Sequence, residues 1–119
     1  MQLKNGFPML HRAWLDQVVA AELTDVIFPL AMPSIVAARL IAVVDWRVDV
    51  VYLDSAHEKG ETFVELNLYY QLLRPGGVLL GDDYDYWPAV KHDVDAFAEC
   101  HGLKVTKLPN TWIIKKPLR

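Results

Sequence analysis

Three carboxylates end two short apolar runs. Asp54 closes Val-Asp-Val-Val-Tyr-Leu-Asp over 48–54, and Asp82-Asp83 close Gly-Val-Leu-Leu-Gly-Asp-Asp over 77–83. Between the runs lies one amphipathic helix's length of chain, so the pattern reads as a strand–helix–strand unit with acids at both carboxyl ends. Ligands of open parallel sheets bind beyond those ends. Converged carboxylates repel one another and favour a bound cation, and oxygen-only ligands suit Mg²⁺ or Ca²⁺ better than zinc. The alternative is that Asp54 caps the following turn while Asp82 and Asp83 leave the sheet in a second turn. His57 stands three residues beyond Asp54. It titrates near neutral pH and suits proton abstraction, although loop histidines are commonly just solvated. Tyr84, Tyr86 and Trp87 follow the acid pair. They form either an aromatic wall for a flat substrate or the packing of the next helix. Cys100 reads as a buried or inert thiol, Trp112 as core, and His11, His92 and His101 as surface residues.

The elements that must position these groups follow from periodicity. Helices are expected over 8–22, 34–44, 60–73 and 88–101, the second with Ser34 as N-cap. The third carries the stripe Phe63, Leu66, Tyr70 and Leu73 and stops at Arg74-Pro75-Gly76-Gly77. Pro88 opens the fourth, and Gly102 ends it. Strands are expected over 25–30, 48–54, 78–81, 103–108 and 111–115. The continuous apolar run at 48–54 suggests cover on both faces. Pro109-Asn110 is too short a link for a parallel crossover, so the last two strands make an antiparallel hairpin. The class is therefore α/β, with a mainly parallel sheet and an antiparallel end.

Composition narrows the function. The chain has 119 residues, 53% hydrophobic and 23% charged, which implies one folded domain over 1–119 rather than disorder. A net charge of −3 without a basic stripe argues against a nucleic-acid partner. The single cysteine allows no intrachain disulfide and points to a reducing, cytoplasmic setting. The apolar stretch 26–44 is broken by Pro29, Pro33 and Arg39, so it is not read as a membrane span.

The runs VDVVYLDSAHEKG and LLRPGGVLLGDDY, followed by Trp-Pro-Ala-Val, resemble the C-terminal half of class I S-adenosylmethionine-dependent methyltransferases. The nearest subgroup is the class 24 type, close to catechol-type, metal-dependent O-methyltransferases. The resemblance covers roughly 14–115. It implies a Rossmann-like sheet, with Asp54, Asp82 and Asp83 holding Mg²⁺ and His57 in the place where those relatives carry a basic lysine. Such enzymes bind the methyl donor through a glycine-rich loop after their first strand, and this sequence shows no counterpart of that loop. The expectation is a truncated methyltransferase sheet. The family order 3-2-1-4-5-7-6 then loses strands 1 and 2, and strand 48–54 becomes an apolar edge that invites a homodimer. Two functions remain open. One is a methyltransferase-like domain acting on small hydroxyl-bearing molecules with help from a second chain. The other is a non-catalytic homodimeric binding or assembly module on the same scaffold.

Overall fold

The computed structural model describes residues 3–4, 7–54 and 58–119. Contacts gather the chain into two units, 1–31 and 32–119. The sequence reading treats them as one domain; each is described here by itself.

In the first unit, β1 (Leu3–Lys4) pairs antiparallel with β2 (Phe7–Pro8). Helix α1 (Leu10–Ala20) falls inside the expected 8–22, with Val18 buried and His11 stacked on Trp14 at 6.1 Å. The strand expected over 25–30 is absent. Val26 N and Ile27 N both donate to Leu23 O, which closes a turn in place of a ladder. A strand needs a neighbour to receive its backbone groups. Among the described residues no strand pairs with this segment.

The second unit carries the sheet. It runs β3–β4–β6–β5, with β3 Val48–Leu53, β4 Leu73–Gly81, β5 Val105–Leu108 and β6 Thr111–Lys115. This is the 4-5-7-6 portion of the order the resemblance implies. The β3/β4 ladder is parallel, whereas β4/β6 and β5/β6 are antiparallel. Strand β4, Leu73–Gly81, begins earlier than expected and takes in Arg74-Pro75-Gly76-Gly77, where Gly76 turns left-handed at φ +83°. The register slips there, from Val48 opposite Leu73 to Val50 opposite Val78.

Helices α2 (Ser34–Val43), α3 (Glu61–Leu72) and α4 (Pro88–His101) pack in sequence, α3 against both neighbours. Leu66 of α3, Val90, Val94 and Phe97 of α4, and Leu73, Leu79, Trp112 and Ile114 of the sheet are buried together. Full burial of one such side chain is worth roughly 1.5–3 kcal/mol. The α3 stripe meets expectation: Leu66 and Leu73 are buried, with Phe63 and Tyr70 packed half-buried beside them. Strand alternation sends Val50 and Tyr52 to the opposite sheet face. Both are exposed there, so β3 is an edge strand covered on one face rather than two.

The helix ends are held by distant residues. Gly60 precedes α3 at φ +93°, and Asp93 of α4 accepts from Gly60 N at 2.7 Å and Phe63 N at 3.2 Å. A buried carboxylate thus satisfies first-turn N–H groups that would otherwise lack partners. At the other end, Lys116 Nζ donates to Tyr70 O and Leu73 O and lies over the Tyr70 ring. Ser34 is the first residue of α2 rather than its N-cap. Its hydroxyl donates to Glu65 Oε2 at 2.6 Å, a charge-assisted bond that ties α2 to α3. Cys100 is exposed, which removes the buried half of the reading as a buried or inert thiol. No helix among the described residues is long and apolar enough to cross a membrane.

Candidate functional site

Leu53 and Gly81 are register partners in the parallel ladder, so Asp54 and Asp82 leave the sheet side by side. Neighbouring strands lie about 4.8 Å apart. Asp82 N still donates to Leu53 O, at 3.4 Å. Asp83 then turns the chain at φ +67°, a left-handed conformation that aspartate tolerates better than most residues.

The loop that follows is organised by Asn110, in the β5–β6 turn. Its amide Nδ2 donates to Asp82 Oδ1 at 2.9 Å, and its Oδ1 accepts from Asp85 N at 3.0 Å and Tyr86 N at 3.3 Å. Its backbone N donates to Asp85 Oδ2 at 2.7 Å, and its carbonyl accepts from Tyr84 N. Asn110 itself is left-handed at φ +55°. Lys107 Nζ lies 2.7 Å from Asp85 Oδ1. The Lys107 hydrogen bond and then the Asn110 N–H hold the Asp85 carboxyl below its usual range.

Asp54, Asp82 and Asp83 line one small cavity of about 10 Å³ together with Leu53, Thr62, Glu65, Val90 and Trp112. On the open sheet face, Tyr52 senses the same three acids. Desolvation first, and then the charges of Asp82, Asp54 and Asp83, raise its phenol above the ordinary tyrosine value.

The acids therefore share one end of the sheet, as expected. Among the described residues, no three of His, Cys, Asp and Glu are placed to hold a metal ion. One oxygen of Asp82 is engaged by the Asn110 amide instead. No step is routed through Mg²⁺. His57 lies outside the described residues. Of the aromatic trio, Tyr84 follows the packing alternative. It is buried, donates its hydroxyl to Asp95 Oδ1 at 2.6 Å and lies beneath Lys91, so it is no substrate wall. Tyr86 is exposed and Trp87 partly so.

Asn110, Glu65, Thr62 and Tyr52 were not singled out by sequence. For Asn110 a weak signal existed, since a Pro-Asn turn favours a left-handed asparagine. Its partners lie 24 to 28 residues away, beyond any local pattern.

A family model described as a methyltransferase domain matches residues 5–84. Among solved structures, the apo form of CalS11, a TDP-rhamnose 3′-O-methyltransferase of calicheamicin biosynthesis, is similar at 15% identity and TM-score 0.68 over 97% of this chain and 53% of that one. An O-methyltransferase family protein from Burkholderia thailandensis is similar at 18% identity and TM-score 0.60 over 92% and 41%. The O-methyltransferase NovP is similar at 19% identity and TM-score 0.53 over 60% and 30%. The likeness establishes a shared fold, and the chain spans about half or less of each of these structures. No curated protein matches it in sequence.

Two measurements check the geometry. Asn110→Gly keeps the left-handed backbone while deleting the amide, and in urea it should lose about 1–3 kcal/mol. Asn110→Ala should lose more, because its Cβ is strained at positive φ. A glycine variant as stable as the parent would show that the amide clamp contributes nothing. In an ultraviolet phenolate titration, Asp82→Asn should lower the Tyr52 pKa by removing the carboxylate charge that acts on it most strongly; an unmoved or raised value would mean that the acids do not converge on that phenol.

Proposed function

We propose that this chain, which belongs to the methyltransferase-domain family matched over 5–84, forms the acceptor side of an S-adenosylmethionine-dependent O-methyltransferase acting on small hydroxyl-bearing molecules. The observation that carries the reading is the pair of parallel strands ending together in Asp54 and Asp82, within a sheet of the family's order. An acceptor hydroxyl hydrogen-bonded to a fixed carboxylate there is held with a lone pair free to attack. The Asn110 clamp keeps Asp82 from swinging, so little reorganisation accompanies binding. His57 is the candidate acceptor of the hydroxyl proton, on sequence position alone. The donor, when bound, supplies an electrophilic methyl group on sulfur. The acceptor oxygen forms its bond to that carbon as the carbon–sulfur bond breaks, and the hydroxyl proton passes to the base.

The six glycines stand at 6, 60, 76, 77, 81 and 102, and none forms a glycine-rich loop ahead of β3. Donor binding is therefore the deciding measurement. Calorimetric titration with S-adenosylmethionine should show saturable binding at micromolar concentration, and Asp54→Asn should abolish transfer to a hydroxyl acceptor while the fold persists. No binding up to millimolar donor would remove the enzyme reading for the chain by itself.

One observation favours a second reading, a homodimeric assembly module. Strand β3 is an edge whose Val50 and Tyr52 are 61% and 55% exposed. Apolar edges pair readily with other chains unless blocked by charge. Light scattering should then report a dimer, and Val50→Lys should shift it to monomer. A monomer in the parent protein ends this reading.

A further inference from the structure

Trp112 is 1% exposed, and among the described residues its indole Nε1–H has no hydrogen-bond partner. Nearly all buried donors in folded proteins are satisfied, so an orphan calls for an acceptor that the described residues do not supply. Leaving it unmet costs on the order of 1–3 kcal/mol. The same indole lines the cavity at the acid end of the sheet, beside Asp54, Asp82, Asp83 and Glu65. A buried indole and several carboxylates thus line one small, partly open space.

The size and polarity of that space select its occupant. At about 10 Å³ it has room for a single water-sized ligand. A hydrated Mg²⁺ is far larger, and a bare cation would meet the positive end of the indole N–H dipole. A carboxylate or phosphate group would meet the acids. A species that accepts one hydrogen bond and donates two satisfies both walls.

We infer that this cavity is a specific one-water site. The water oxygen accepts from Trp112 Nε1–H, and its two protons go to carboxylates lining the cavity. The site joins the cleft acids to Glu65, which accepts the Ser34 hydroxyl. Trp112 becomes a positioning residue for the acids, acting through the water. The assignment is independent of methyl transfer and stands or falls without it.

The test uses the full chain labelled with ¹⁵N. Water-to-protein nuclear Overhauser spectra should show a long-lived water at the Trp112 indole proton, and Trp112→Phe should remove both that signal and one slowly exchanging water. If Trp112→Phe fails to fold, a high-resolution crystal structure of the parent protein decides. One water oxygen about 3 Å from Nε1 confirms the site. A dry cavity, or an indole bonded to a protein acceptor, overturns it. Mn²⁺ added at stoichiometric concentration should leave the Trp112 resonance sharp; selective broadening would place a cation in the cavity and overturn the assignment too.

Discussion

The structure depends on one close approach, between Gly81 and Trp112. A Cβ at Gly81 would stand 2.5 Å from both Leu53 O and the Trp112 ring, so neither strand neighbour leaves room for any side chain. Gly81 is register partner to Leu53 on one side and to Trp112 on the other. The contact therefore sets the spacing of three strands at the end where the acids emerge. The same indole fills the core beneath α3 and α4. Core packing and site geometry are in this way a single constraint, and a methyl group at position 81 would disturb both.

Much of this was legible in the sequence where local rules suffice. Helix α4 was read from Pro88 to His101 because a proline start and a glycine stop bracket a helical stripe, and β6 was read from Thr111 to Lys115. Asp54, Asp82 and Asp83 were placed at one sheet end because apolar runs of strand length point their last residues there. What failed was non-local. Residues 25–30 have strand-like composition, yet a strand is defined by its partner and here the backbone bonds close a turn. Ser34 has the chemistry of an N-cap, but it stands inside α2 as its first residue, with Pro33 at the cap and its hydroxyl donating to Glu65 on the next helix.

The site shows the same division. The acids were visible, but their state was not. A cluster of carboxylates reads as a cation site only while each oxygen is assumed free. Asn110 removes that freedom at one oxygen of Asp82, and the buried Trp112 indole lines the same cavity. Tyr84 illustrates the opposite error. It shares the loop with exposed Tyr86, but a carboxylate on α4 captured its hydroxyl and drew it into the core. Sequence neighbours diverge here because hydrogen-bond acceptors on one helix decide which ring is buried.

The β5–β6 hairpin lies wholly beyond residue 84, where the family model stops matching. Its tip nevertheless supplies five of the hydrogen bonds that shape the loop after β4. The chain thus separates the part that presents its acids from the part that tunes them. Such an arrangement is modular in the evolutionary sense. Exchange of a few residues at one hairpin tip would re-aim Asp82 and the exposed Tyr86 while the strands stayed unchanged. Change in the geometry of the acid end is then accessible through a surface turn, the region of a fold that tolerates substitution most readily.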